Sequence, residues 1–209
     1  GLSAEYQLLG FYLSRIAHSF LGKTMPSRIE VSFYGDLSDY SEWLVGPVVL
    51  GLNADFDPTF DHRQAKELLE EKGIAFVDRE TDESKGYGES MTIDLISGDE
   101  NELRRVSVRG TITEGTPMVS RIDDFDGLYF DPRGNSVLVS YQDRPGMLSA
   151  ICGVMARHDI NIEDVRAPHN LEKGDSLAVL QVNQRVADEV CAEVVKESGA
   201  YQAIALAIK

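Results

Sequence analysis

Apolar residues recur every three or four positions at the start of the chain, and Leu9, Leu13, Ile16 and Phe20 fall on one face of an amphipathic helix. The periodicity stops at "LGKTMPS", where Gly22 and Pro26 punctuate, and "RIEVSFYGDL" then alternates Ile29, Val31 and Phe33 as a half-buried strand. "SEWLVGPVVLGL" is an apolar stretch broken by Gly46 and Pro47. "DHRQAKELLEEKGIAFVDRE" predicts a capped helix, with Asp61 at the N-cap and Gly73 at the stop, followed by a strand over 74–77. "ESKGYGES" reads as a loop, "MTIDLIS" and "LRRVSVRGTIT" as two strands around the turn "GDEN", and "PMVSRIDDFDGLYFD" as a further pair. This half predicts an α+β domain with a mainly antiparallel sheet and helices.

The turn formers of "DPRGN", 131–135, mark a boundary and divide the chain into a domain over 1–134 and another over 135–209. Beyond it the elements come closely spaced. "SVLVSYQ" is a strand, "GMLSAICGVMARHD" a helix, "NIEDVRAPHN" and "DSLAVLQVN" strands, "VADEVCAEVVKES" a helix and "YQAIALAI" a last strand. The order βαββαβ lets two amphipathic helices cover one face of a four-stranded antiparallel sheet, a ferredoxin-like arrangement.

The chain has 209 residues, 43% of them hydrophobic, which is enough for one large or two small domains. Its 35 Asp and Glu against 20 Lys and Arg give a formal charge of -15, which opposes attraction to nucleic acid or to an anionic membrane. A small polar or zwitterionic ligand stays compatible with that charge. Cys152 and Cys191 are too few for a disulfide framework and lack CxxC spacing, so a cytoplasmic setting is expected, with both thiols on apolar helix faces. No stretch approaches the ~20 apolar residues that span a bilayer. Gly1 stands where an initiating Met is usual, and the chain is expected to be a fragment of something longer.

Chemistry-bearing patterns are sparse. No GxGxxG links a strand to a helix, the four His are scattered, and neither Ser107, Ser149 nor Cys152 stands beside a recognisable base. No catalytic residue and no metal ligand are assigned. The corner "YQDRPGMLSAICGVMARHDIN" is different. In its plainest reading, Pro145 opens a helix and Asp143 favours the positive helix end. The same parts also suit an amino acid zwitterion. Amides near Met147 and Leu148 would take a carboxylate, Asp143 an ammonium group, and Asn161 would donate and accept hydrogen bonds. Gly146 would allow close approach of a ligand. Asn161 is expected near the corner, on the view that strand two begins where strand one ends. That second strand is also the expected sheet edge, open to pairing with another subunit.

"YQDRPGMLSAICGVMARHDINIEDV" followed by "SLAVLQV" resembles an ACT domain, the small ligand-sensing module of amino acid metabolism, and most of all the one that ends D-3-phosphoglycerate dehydrogenases. Upstream, "RIEVSFYGDL", "AKELLEEKGIAFVDRETDESKGYGESMTIDL" and "PMVSRIDDF" are similar to the intervening, allosteric substrate-binding domain of the long form of that family. The resemblance implies that L-serine or a similar amino acid binds between paired ACT domains, at Tyr141, Asp143 and Asn161 with Pro145 and Gly146 forming the turn. It implies self-association to a dimer or tetramer, and a possible anion site in the first domain for which Arg109, Arg121 and Arg133 are the candidates. Exposed salt bridging is the plainer role for those arginines. NAD and the hydride-transfer residues of that family would lie in catalytic domains outside these residues, so this chain needs no cofactor of its own.

Two other resemblances remain open. The beta chain of iron-sulfur L-serine dehydratase carries the same pair of domains, and a free-standing ACT protein would be an amino acid sensor. An in-frame nucleotide-binding region upstream points to the dehydrogenase, a neighbouring cysteine-bearing alpha chain to the dehydratase, and an initiating Met near Leu2 to the sensor.

Overall fold

In the computed structural model, all residues except Glu100 and Leu171 are described, with the backbone alone for Asp99. The chain divides into two compact units, Gly1–Asp123 with Tyr129–Asp131, and Asp124–Leu128 with Pro132–Lys209.

The first unit is built on α1 (Ala4–Phe20), whose Leu9, Leu13 and Ile16 are fully buried. This helix lies against a six-stranded sheet of order β2-β1-β3-β4-β5-β6. The strands are β1 (Arg28–Phe33), β2 (Ala75–Asp78), β3 (Ser90–Asp99), β4 (Glu102–Thr113), β5 (Thr116–Ile122) and β6 (Phe125–Phe130), of which only Tyr129 and Phe130 are counted in the first unit. The β1–β2 pair is parallel, while β1–β3, β3–β4 and β4–β5 are antiparallel. The expected turn over 98–101 contains Glu100, which lies outside the described residues.

Two local readings need correction. "SEWLVGPVVL" is not broken: α2 (Ser41–Leu50) runs through Pro47. Gly46 has no Cβ to collide with the proline ring, which lifts much of the usual pre-proline restriction. A Cβ on Gly46 would also come within 2.6 Å of the Phe60 carbonyl oxygen. Tertiary contacts then hold the helix, because Ser14 Oγ donates to the Val48 carbonyl at 2.6 Å and Leu44, Val48 and Val49 are buried. The second correction concerns β1, which is buried on both faces rather than one, because Glu30 and Ser32 are enclosed as well as Ile29, Val31 and Phe33. The helix over "HRQAKELLEEK" is α3 (His62–Lys72), with the Asp61 carboxylate accepting from the Gln64 amide and the Gln64 side chain accepting from the Asp61 amide.

Enclosing Glu30 would be costly without cations. Arg28 Nε donates to its carboxylate at 2.9 Å, and Arg79 and Arg105 approach it at 3.1 Å. Arg105 also reaches Asp94 at 2.6 Å, and the Ser107 hydroxyl donates to Asp94 at 2.6 Å. Glu30 and Asp94 are cross-strand partners, as are Asp94 and Ser107, so strand register assembles this network.

The second unit contains β7 (Gly134–Gln142), α4 (Met147–Arg157), β8 (Ile162–Arg166), β9 (His169–Asn170), β10 (Asp175–Val182), α5 (Asp188–Ser198) and β11 (Gln202–Ile208). Its antiparallel sheet has the order β11-β7-β10-β8, with the short β9 also paired to β10. "NIEDVRAPHN" is thus two strands, since Pro168 has no amide to donate to the ladder. Val137 and Val139 of β7, Ala178 and Leu180 of β10, Ile151 and Val154 of α4, and Cys191 and Val194 of α5 form one core. The expected βαββαβ order is present, β8 is at the edge, and both cysteines are free thiols. Burial pushes the Cys191 thiol up to about 11 and also raises that of Cys152.

Burial alone would raise the Glu30 carboxyl, but hydrogen bonds from Arg105 and Arg28 outweigh it and hold the group below the usual carboxylate range. A depressed folded-state pKa adds stability above the unfolded value, and that stability fades as pH falls through the folded one. Glu30→Gln should therefore lower the urea midpoint at pH 7, and the gap from the native chain should close as pH drops below about 4. A pH-independent gap would count against the charge argument.

Candidate functional site

The β7–α4 corner is built from the backbone outward. Past the end of β7, the Asp143 amide donates to the Gly174 carbonyl at 2.9 Å, continuing the pairing with the β10 side by one step. The chain then turns through Arg144 and Pro145. Met147 N–H closes back on the Arg144 carbonyl at 3.4 Å, and Ala150 N–H takes the Gly146 carbonyl at 2.9 Å. Gly146 is the N-cap residue, left-handed at φ 89°, and no side chain caps the helix start. The amide of Met147 is therefore engaged in the turn rather than open, a correction to the expectation for that residue.

Tyr141 points inward. It is 2% exposed and its ring belongs to the core with Met147 and Ile151. Burial raises its phenol pKa, and the hydroxyl of Ser176, its cross-strand partner, pulls the other way. Asp143 is outside, with a side chain 41% exposed and Oδ2 at 2.8 Å from His169 Nδ1. Pro145 and Gly146 are exposed, Leu148 is 40% exposed, and Met147 is buried. Arg144 anchors the turn, since its Nη2 donates to the Ser198 carbonyl at 3.0 Å in the last turn of α5 and its Nε meets Met147 Sδ at 3.2 Å. The cluster thus joins Tyr141, Asp143, Pro145, Gly146, Met147 and Leu148 with His169 and Ser176, which sequence reading missed. Nothing local marks His169. It reaches Asp143 because β9 sets His169 opposite Ser176 on β10, which in turn faces Tyr141.

Asn161 lies elsewhere, which corrects the expected proximity. Along β10, Asp175 faces Gln142 at the end of β7, while Val182 faces both Asn135 near its start and Ile162 of β8. Two strands that share an antiparallel neighbour are parallel to each other, so β8 begins where β7 begins. At ~3.3 Å per residue, the length of β10 sets Asn161 more than about 20 Å from Asp143 of the same chain. Asn161 is exposed, and its backbone exchanges hydrogen bonds with Asn183.

Of the three arginines considered for an anion, Arg109 and Arg121 are cross-strand partners on β4 and β5. Arg109 stacks on the Tyr87 ring at 4.0 Å, and Arg121 donates to the Asp123 carbonyl at 2.7 Å and the Ser107 hydroxyl at 3.0 Å. Arg133 belongs to the second unit. The arginines that sequence reading passed over, Arg28, Arg79 and Arg105, are those paired with Glu30 and Asp94. Among the described residues, no group of three His, Cys, Asp or Glu is placed to hold a metal ion. No described helix is long and apolar enough to cross a membrane.

Residues 135–167 match the model of the ACT domain, and an ACT domain forms the C-terminal part of the chain. The chain is 25% identical over 94% of its length to D-3-phosphoglycerate dehydrogenase of Methanocaldococcus jannaschii, and 24% identical over 87% to that of Mycobacterium tuberculosis, aligning with their C-terminal regions. It covers 36% and 34% of those proteins, so it spans about a third of the dehydrogenases it matches. It is also 27% identical over 94% of its length to the probable L-serine dehydratase beta chain of Bacillus subtilis, of which it covers 88%. The ACT match supports an amino-acid-binding regulatory role.

A Cβ on Gly146 would meet nothing within 4 Å, so only its φ demands glycine. Gly146→Ala should cost about 1 kcal/mol in urea unfolding. A neutral result would mean the turn readily adopts another conformation.

Proposed function

We propose that this chain is the regulatory part of a D-3-phosphoglycerate dehydrogenase, and that paired ACT domains bind L-serine or a close analogue at the β7–α4 corner. The observation that carries the reading is the pairing of a half-exposed acid, Asp143, with a helix start that no side chain caps. An ammonium group suits the first and a carboxylate suits the amides beyond Met147.

Asn161 enters through a second copy. If two β8 edges pair antiparallel about a two-fold axis, the start of one strand lies beside the end of the other, and the partner's Asn161 approaches this Asp143. Val165, 41% exposed on β8, would be covered by the same pairing. Each dimer then holds two equivalent pockets, and a tetramer would follow from a further contact. Ligand that bridges two copies favours one relative orientation, and such couplings amount to roughly 1 to 3 kcal/mol.

On this reading NAD binds in catalytic domains of the parent enzyme, in the cytoplasm. The β7–α4 turn has a single glycine, flanked by Pro145 and core-bound Met147, and does not fit a dinucleotide. The second reading, a serine dehydratase beta chain, is favoured by the 88% coverage of that relative. Cys152 and Cys191, one half-buried and one buried on separate helices, do not fit an iron-sulfur cluster, which would then belong to the partner chain.

Calorimetry with L-serine tests the site, and complementation tests its two-chain construction. Asp143→Ala and Asn161→Ala should each weaken binding about tenfold or more. Co-refolded together, they should regain one native-affinity site per mixed dimer, since one pocket carries both losses and the other neither. Failure to regain any site would overturn the shared pocket, and heat with a different amino acid alone would reassign the ligand.

A further inference from the structure

The first unit contains a cleft that the proposed function leaves unused. It lies between the start of α2 and the segment leading into α3, with a volume of about 190 Å³. Its walls are aromatic, from Trp43, Phe56 and Phe60, and carboxylates of Glu42, Asp57 and Asp61 stand around it. Trp43 is 65% exposed, leaving most of a large indole open to water.

The parts are held in place by the surrounding structure. Phe56 packs edge-on against Phe11 with centroids 5.6 Å apart. Asp57 Oδ1 accepts from the Thr59 amide at 2.8 Å and the Thr59 hydroxyl at 2.7 Å, bonds that leave Oδ2 uncommitted and hold its carboxyl below the usual range. Asp61 is oriented by its capping bonds to Gln64. Glu42, Asp57 and Asp61 line the cleft together with Trp43, Phe56 and Phe60, whose ring faces present negative potential of their own. His62 is the remaining titratable group on the lining. Three carboxylates outnumber the cationic groups His62 and Arg63 that act on Asp61, so the cleft disfavours an anion and is poorly matched to a zwitterion, whose carboxylate would meet like charge. The volume, below the ~300 Å³ of drug-sized pockets, suits a ligand of a few heavy atoms.

We propose that this cleft binds a small organic cation, a primary alkylammonium with a short apolar arm. The ammonium sits among Glu42, Asp57 and Asp61 against the indole face, and the arm lies along Phe56 and Phe60. The site is separate in chemistry from the corner at Asp143, which takes both charges of an amino acid.

Trp43 is the single tryptophan of the chain, so intrinsic emission reports on this cleft directly. The full chain is titrated with n-butylammonium chloride, against sodium butyrate, n-butanol and sodium chloride at matched ionic strength. A saturable change is expected with butylammonium and none with the other three. Glu42→Gln combined with Asp57→Asn should weaken binding about fivefold or more, with the far-ultraviolet circular dichroism unchanged. Should the double variant lose its fold, Glu42→Gln alone serves, since Glu42 is exposed in the first turn of α2. An equal response to butanol, a response that never saturates, or full affinity in the folded charge variant overturns the proposal.

Discussion

Strand β10 holds β7 on one side and β8 on the other, both antiparallel to itself, and this sharing decides which side chains meet at each end of the ACT sheet. Tyr141, Ser176 and His169 come into line across three strands because β10 and β9 carry their partners to the end where β7 stops. The same constraint sends Asn161 to the opposite end. A pocket that needs both Asp143 and Asn161 is then impossible within one chain but natural across a two-fold axis, where opposite ends of equivalent strands become neighbours. In the proposed dimer, assembly and ligand recognition would become one event.

Asp143 is already paired, with His169 Nδ1 at 2.8 Å from its carboxylate, so in the proposed pocket an ammonium group would have to share or displace that partner. Arg144, next in sequence, turns away and binds the end of α5. Neighbouring charges thus have separate tasks: one fixes the corner to the helix layer and the other is left at the surface.

In the first unit, charge is organised by enclosure rather than by exposure. Glu30 and Asp94 sit on adjacent strands with little solvent, Arg79 and Arg105 bridge them from the more exposed side, and Arg28 pairs with Glu30. An isolated surface pair is worth little, but a network around nearly buried carboxylates stabilises groups that burial would otherwise penalise. Arg109 and Arg121 are partnered on the same sheet by an aromatic ring, a carbonyl and a hydroxyl. Acidity at the Trp43 cleft is different, since aromatic side chains line it together with the carboxylates.

Periodicity and turn residues alone determined the βαββαβ order, the capped α3 and the strand-to-helix turn at Pro145 and Gly146, because each depends on near neighbours in the chain. They misjudged Pro47, where helix packing and a preceding glycine override a local breaker, and β1, whose polar residues are enclosed by strands distant in sequence. Tertiary structure alone decided that Tyr141 joins the core, that His169 pairs with Asp143, that Arg105 rather than Arg109 meets Glu30, and that Asn161 lies far from the corner. The physical reason is register: hydrogen bonding between strands sets which distant residues are opposite one another, and no local pattern in a single chain encodes that distance.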